Sequence, residues 1–235
     1  MGDVRPASAL EQRIAGIAAL DQPLRRELYR LLSDGAWHSR DEAAGSLDVA
    51  RSVAAFHLDK LAEAGVLEVR FERVSGRSGP GAGRPSKLYR LAADEIAASV
   101  PERRYDLAGA ILATAVAEST RSGRAARDCL REVARDEGRA VGQEAIGTGT
   151  DDRRSDRDAV VDVLTRDGYE PGLVRREVAL ANCPFHRLAE QERELVCGMN
   201  LDYLAGVLEG IGAADTLTVR LAPEPGRCCV RIATT

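Results

Sequence analysis

Three of the five cysteines crowd the last fifty residues of a 235-residue chain. Cys183 and His186 stand in the run Cys-Pro-Phe-His, Cys197 follows with 13 residues between, and Cys228 and Cys229 come after 30 more. Thiolates with an imidazole form a soft donor set, suited to an iron-sulfur cluster or to zinc. Zinc sites usually show two tight ligand pairs, whereas only Cys183 and His186 are close here, which ranks a cluster first and zinc second. The remaining alternative is a set of buried or redox-idle thiols. The odd count and the grouping argue against a secreted disulfide framework. Cys129, alone on a helical pattern, reads as a core residue.

Three elements must position these donors. Residues 173–180 read as a strand that leads to Cys183, residues 185–211 as a long helical segment carrying Cys197, and residues 228–233 as a closing strand paired with 216–222. Successive residues of a strand point to opposite faces, so Cys228 shares one with Val230 and Ile232, and Cys229 shares the other with Arg227 and Arg231. Cys228 is therefore expected to face inward with Cys183 and Cys197. The fourth donor is His186 or Cys229.

Upstream, residues 1–8 read as disordered, and Leu10, Ile14, Ile17, Leu20, Leu24 and Leu28 recur at helical spacing through Leu32. Pro23 suits the first turn of a helix. Ser39 and Glu42 form a capping box that opens a short helix to about Leu47, and a second helix follows over 50–64 until Gly65. Residues 67–74 and 87–91 read as strands around a Gly- and Pro-rich loop, 75–86. Helix, helix-turn-helix and β-hairpin in that order make a winged helix. Gly79, Gly81 and Gly83 join two strands, so they are no phosphate-binding fingerprint, which must join a strand to a helix.

On the second helix Ala54, Leu58 and Leu61 face inward with His57 at the border, leaving Arg51, Ser52, Ala55, Phe56 and Lys60 on the face expected to enter a DNA major groove. The wing adds Arg77 and Arg84. Residues 1–100 balance 14 basic against 14 acidic side chains, but between Arg70 and Arg90 six cations meet one acid, Glu72, an excess suited to phosphates. No stretch is long and apolar enough to span a membrane, and no basic start precedes an apolar run, so a cytoplasmic protein with no membrane partner is expected.

The fold class expected is α+β in three parts: a winged helix-turn-helix over 10–93, a helical dimerisation segment over 94–146, and a cysteine-containing α+β sensor domain over 147–235. Residues 94–120 and 124–146 read as helices, the first offering Leu107, Ala110, Ile111, Ala113 and Ala115 as an alanine-rich seam for a second copy. The best linker lies at 147–156.

The runs Arg-Ser-Val-Ala-Ala-Phe-His-Leu-Asp-Lys-Leu and Gly-Arg-Pro-Ser-Lys-Leu-Tyr-Arg-Leu, followed by Asn-Cys-Pro-Phe-His, Leu-Val-Cys-Gly-Met-Asn and Cys-Cys-Val, resemble the SufR-type regulators of the ArsR-like group over about residues 20 to 235. The winged-helix runs are shared by many regulators; the spaced cysteines are the telling part. The resemblance implies a homodimeric repressor of iron-sulfur assembly genes that binds an inverted-repeat DNA operator. It also implies a cluster, taken as 4Fe-4S, on three cysteines: Cys183, Cys197 and one of Cys228 and Cys229. Two other functions compete: a winged-helix regulator that senses zinc or an organic ligand, and a thiol-dependent enzyme fused to a DNA-binding domain. No Cys-x-x-Cys pair or assembled nucleophile and base supports the enzyme, so a non-enzymatic regulator is expected.

Overall fold

The computed structural model describes residues 8–72, 85–93, 95–147, 155–174, 177–224 and 226–235. The chain divides into two compact units, Met1–Ala98 and Ser99–Thr235.

The first unit opens with α1 (Ala9–Ala19). Ser8, expected in a disordered tail, instead caps this helix: its hydroxyl accepts from the Glu11 N–H at 3.2 Å and its own N–H donates to the Glu11 carboxylate at 2.7 Å. Residues 1–7 of that tail lie outside the described residues. The apolar run through Leu32 forms two helices, since the chain turns before α2 (Pro23–Leu31), where Pro23 stands in the first turn. Arg26 holds the turn by donating to the carbonyls of Leu20 and Asp21 at 2.9 and 2.5 Å.

The Ser39–Glu42 capping box opens α3 (Arg40–Ser46), and α4 (Arg51–Glu63) follows after a turn in which Asp48 takes φ 50°. A left-handed residue is what lets so short a turn reverse the chain, and aspartate tolerates it better than most. Strand β1 (His38–Ser39) joins β2 (Leu67–Glu72) and β3 (Ser86–Leu91) in an antiparallel sheet of order β1-β3-β2, with Leu67 opposite Leu91 and Glu72 opposite Ser86. Leu28, Leu32, Leu58, Leu61, Val66 and Tyr89 fill the core, and the fully buried Ala43 and Ala54 contribute only a methyl each on α3 and α4.

In the second unit helices α5 (Tyr105–Ser122), α6 (Ala126–Gly147), α7 (Asp156–Arg166), α8 (His186–Gln191) and α9 (Arg193–Ile211) accompany an antiparallel sheet of order β4-β5-β7-β6. Its strands are β4 (Pro171–Val174), β5 (Glu177–Leu180), β6 (Leu217–Leu221) and β7 (Val230–Thr234). This is an α+β arrangement. Four sequence expectations change. The single strand over 173–180 is a hairpin, with Pro171 opposite Leu180 and Val174 opposite Glu177. The helix over 185–211 breaks at Glu192, whose φ −130°, ψ 64° is not helical. The helix expected from 94 starts only at Tyr105. The closing strand starts at Val230, so Cys228 and Cys229 precede it.

The helices of 94–146 contribute to the core of the second unit. Leu107, Ala108, Ile111 and Ala115 of α5 and Cys129, Leu130 and Ala134 of α6 are buried with Tyr203, Leu204, Val207 and Leu208 of α9. Three of the five residues of the expected alanine-rich seam, Leu107, Ile111 and Ala115, are therefore spent inside this chain, while Ala110 and Ala113 stay exposed beside Val116. Part of the expected linker at 147–156 lies outside the described residues; Ser155 caps α7 by accepting from the Asp158 N–H at 3.2 Å.

Helices α6 and α9 meet backbone to backbone. A Cβ on Gly138 would lie 2.0 Å from the Tyr203 carbonyl oxygen, one on Gly206 2.0 Å from that of Arg135, and one on Gly210 2.2 Å from that of Arg139. Gly138 with Gly142, and Gly206 with Gly210, repeat at four residues, one turn apart on a single face. Around this crossing Arg135 and Arg139 both pair with Glu209, Arg139 at 2.8 Å.

Candidate functional site

The surface expected to face DNA begins with α4. Nothing caps its first turn from a side chain, since Ala50 is the N-cap, so the leading N–H groups and the helix dipole point outward as an anion-attracting end. Arg51, Ser52, Phe56 and Lys60 are exposed and Ala55 is half-buried, in agreement with the expected reading face. Val53, at 40 % exposure, lies on the same side of α4, three and seven residues before Phe56 and Lys60, and was not among the residues expected there. Phe56 stands 58 % exposed with its ring edge-on to His57 at 5.1 Å. Arg51 pairs with Asp41 of α3 at 2.5 Å and Lys60 with Glu63 at 2.6 Å. Such exposed pairs contribute little and exchange readily for a phosphate or base edge.

A half-buried polar knot around the buried Tyr89 ring fixes α4 against the sheet. The Tyr89 hydroxyl donates to Asp59 at 2.6 Å, Arg40 donates to that hydroxyl at 3.1 Å, and Lys87 reaches Asp59 at 2.5 Å. Burial pushes the Asp59 carboxyl up, but the Lys87 and Tyr89 hydrogen bonds outweigh it and hold the group below its ordinary value. Burial raises the Tyr89 phenol, which therefore stays protonated as a donor. Trp37, which no sequence pattern singled out, lies under two cations at the base of the wing, Arg70 at 4.4 Å and Arg90 at 4.7 Å from its ring centroid.

The cationic excess expected between Arg70 and Arg90 is smaller in the fold. Arg70 pairs with Glu72, Arg90 with Glu68, and Lys87 with Asp59, two of these acids lying outside the window that sequence counting used. Arg77 and Arg84, the wing residues expected at DNA, lie outside the described residues.

Three cysteines of the second unit line one cavity of about 660 Å³, Cys183, Cys228 and Cys229, together with His186, Arg103, Arg193 and Arg227, while Cys197 lies behind that lining against Cys229. Cys183 and Cys228 share a thiol hydrogen bond, and Cys197 makes one to Cys229, so four sulfurs stand as two contacting pairs. They come from three places in the fold: Cys183 from the turn after β5, Cys197 from the first turns of α9, and Cys228 and Cys229 from the segment entering β7. That segment continues the ladder irregularly, the Cys228 N–H donating to Leu180 at 3.0 Å and the Cys229 carbonyl accepting from Ala222 at 2.7 Å. Cys228 is buried, as expected of the inward member, and Cys229 half-buried. His186 sits at the rim with its ring toward Glu190 at 3.4 Å. Cys129 is fully buried in the α5–α6–α9 core, away from the cavity lining.

The Cys228 hydrogen bond, with a backbone bond at Phe185 and the Arg103 charge, brings the Cys183 thiol down to about 7 against its burial. Burial first, then Cys229 and Cys183, pushes the Cys197 thiol up to about 12. Cys228, the donor to Cys183, is held far above the ordinary thiol range by that bond and by burial. One sulfur is thus poised as a thiolate while its neighbours hold protons that a bound metal would displace.

Beneath the sulfurs runs a buried polar chain. Asn200 of α9 donates to the Cys228 sulfur at 3.3 Å and accepts from the Tyr169 hydroxyl at 2.6 Å. One turn on, Tyr203 donates to the buried Asp167 at 2.6 Å, and Arg104 lies 3.4 Å from the same carboxylate. Burial raises the Asp167 carboxyl against those two partners. Among the described residues no group of three or more His, Cys, Asp or Glu side chains could hold a metal ion as it stands. Thiols in two pairs, with the Arg103, Arg193 and Arg227 cations beside the cavity, are a soft donor set of the kind that suits thiolate-bound metal rather than a hard oxygen-bound cation.

Residues 20–70 match a protein family described as a helix-turn-helix domain. No curated protein matches the chain. Among the described residues no helix is long and apolar enough to cross a membrane. The matched stretch runs from the approach to α2 into β2 and contains both α3 and the outward face of α4, so the N-terminal unit is a helix-turn-helix DNA-binding domain of the kind that transcription regulators carry.

Proposed function

We propose that this chain is a non-enzymatic, cytoplasmic transcriptional repressor that senses iron-sulfur status through the cysteine cavity and controls iron-sulfur assembly genes. The observation that carries the reading is the convergence of Cys183 with the Cys228–Cys229 pair on one cavity, and of Cys197 behind Cys229, from three separate stretches of a unit that follows a DNA-binding domain. An iron-sulfur cluster bound there supplies a crosslink that forms only when iron and sulfide are sufficient and that oxidants or nitric oxide destroy. Cys183, Cys197 and Cys228 would hold it, with Cys229 or His186 in the fourth position. Arg51, Ser52, Ala55, Phe56 and Lys60 would face the major groove, with Arg77 and Arg84 on the wing at the phosphates. The chain acts as a homodimer on an inverted repeat, for which the exposed Ala110, Ala113 and Val116 strip of α5 offers a close-packing face.

Purification without oxygen tests the pocket. A brown protein with broad visible absorbance and matching iron and sulfide is expected, and Cys183→Ser, Cys197→Ser and Cys228→Ser should each be colourless. A colourless wild type that binds stoichiometric zinc would replace the cluster reading. A second reading takes the cavity itself as an organic-ligand site, because about 660 Å³ lies within the size range of small-molecule pockets. A wild type that binds neither iron nor zinc, and whose DNA affinity responds to a small organic anion, would favour it.

A further inference from the structure

The segment that enters the second unit, residues 99–104, is fastened to the loop that carries Cys183. The Arg103 guanidinium donates to the Cys183 carbonyl oxygen at 3.2 Å and to the Asn182 side-chain carbonyl, while its backbone N–H donates to the Ser99 hydroxyl at 2.8 Å. Asn182, only 7 % exposed, returns a bond to the Glu102 carbonyl at 2.9 Å and another to that of Gly168 at 2.5 Å. The Arg104 N–H donates to the Pro184 carbonyl at 3.1 Å. Gly168 leaves no room beside Glu102, whose side chain would lie 2.9 Å from a Cβ there. Residues 102–104 are thus laced to residues 182–184 from both sides.

Arg103 is also part of the cavity wall, and it bonds to neutral oxygens alone: no carboxylate pairs with it among the described residues. A guanidinium hydrogen-bonded only to neutral acceptors beside a group of thiols, of which Cys183 alone is poised to ionise, is short of counter-charge until more of them are thiolates. Thiols that take up a metal become thiolates and deliver that charge. Planar, always ionised and multiply donating, arginine can hold backbone, amide and anion at once, which a lysine ammonium cannot.

We infer that Arg103 is a positioning residue: it is the counter-ion of the anionic, thiolate-held occupant and transmits occupancy to the segment 99–104, the covalent connection to the DNA-binding unit. The inference rests on the reading of the cavity as the sensory site. With the cavity loaded, the guanidinium is attracted to the thiolates and draws the laced segment tight; with neutral thiols only the bonds to oxygen remain, and the segment loosens. The signal therefore leaves the pocket along the backbone that Arg103 belongs to.

The test uses the full chain, reconstituted without oxygen with iron and sulfide, as wild type, Arg103→Gln and Arg103→Lys. Iron and sulfide content reports loading, amide hydrogen exchange reports residues 99–104, and titration of a DNA duplex selected by the protein from a random pool gives the loaded-to-apo affinity ratio. In the wild type, loading should slow exchange at 99–104 and shift DNA affinity by tens of fold, a usual size for coupling between two sites. In Arg103→Gln the ratio should fall below about threefold, and Arg103→Lys, which keeps charge without the fork, should be intermediate. An Arg103→Gln protein that loads and keeps the wild-type ratio overturns the inference alone. So does unchanged exchange at 99–104 when the wild type loads, which decides the matter even if the glutamine variant fails to load. A wild type that takes up no cluster removes the cavity reading and this inference together.

Discussion

Replacing Gly206 by alanine tests the packing that carries Cys197 and Asn200 on α9. The new Cβ would lie 2.0 Å from the Arg135 carbonyl oxygen, 2.8 Å from its carbon and 2.9 Å from the Arg139 nitrogen, all of them backbone atoms of α6 that no rotamer change can move. Ordinary carbon-to-oxygen contacts lie at about 3.3 Å or beyond, so the helices must part by more than an ångström. Overpacking of this kind costs about 1 to 3 kcal/mol, against which alanine's better helix propensity returns about 1 kcal/mol, and separation also strips the dispersion contacts along the crossing. A net loss of about 2 kcal/mol is expected, near 8 °C in Tm at roughly 4 °C per kcal/mol for a unit of this size. Gly198, on the same helix with nothing within 4 Å of its Cβ position, is the internal control. Gly198→Ala should gain up to about 1 kcal/mol from propensity alone. Calorimetry of the two variants measures both signs. A Gly206→Ala protein as stable as Gly198→Ala would show that α6 and α9 do not touch through their backbones, and the account of the second unit would be wrong.

Further outcomes follow from the other sites. Asp59→Asn should weaken the N-terminal unit by about 1 kcal/mol at pH 7, a charge-assisted hydrogen-bond value discounted because Asp59 is 38 % exposed. Since folding lowers the Asp59 pKa, that stability exists above the ordinary carboxylate range and vanishes as pH falls through the lowered value; equal denaturant midpoints for variant and wild type at pH 7 would refute it. Arg51→Ala should relax base discrimination by about 1 to 3 kcal/mol if it reads a guanine, and Arg84→Ala should weaken all sequences alike and reduce the salt slope; operator titrations at two ionic strengths separate these. Cys129→Ala should leave iron and sulfide content unchanged, while Cys229→Ser should lower it less than Cys228→Ser does; metal analysis of each variant checks both.

The winged-helix half was legible because its signals are local: the Ser39–Glu42 box, Gly65 after α4 and the 3.6-residue apolar phase each act within one turn of chain. The cysteine set was legible as a donor list, but its pairing was not. That pairing depends on where α8 gives way to α9 at Glu192 and on an irregular segment before β7, neither of which alters the apolar pattern. Strict strand alternation still ranked Cys228 inward of Cys229, since both keep ladder hydrogen bonds. The alanine-rich face of α5 misled at Leu107, Ile111 and Ala115, because periodicity shows that a face is apolar without showing which helix covers it. The four-residue spacing of Gly138 with Gly142 and of Gly206 with Gly210 is the one local sign of the α6–α9 crossing, and it is weak because isolated glycines at that spacing also occur in helices that no neighbour approaches closely. Arg103 left no sign, since its partners are carbonyls about 80 residues away.

The central claim is that occupancy of the cysteine cavity sets DNA affinity. It is tested most directly by titrating one selected duplex with protein reconstituted with iron and sulfide, then with the same preparation after the cluster is removed by chelation without oxygen. Tighter binding of the loaded form by tens of fold, lost in Cys197→Ser, is the predicted result. Equal affinities of loaded and apo protein would contradict it, even with a cluster fully bound.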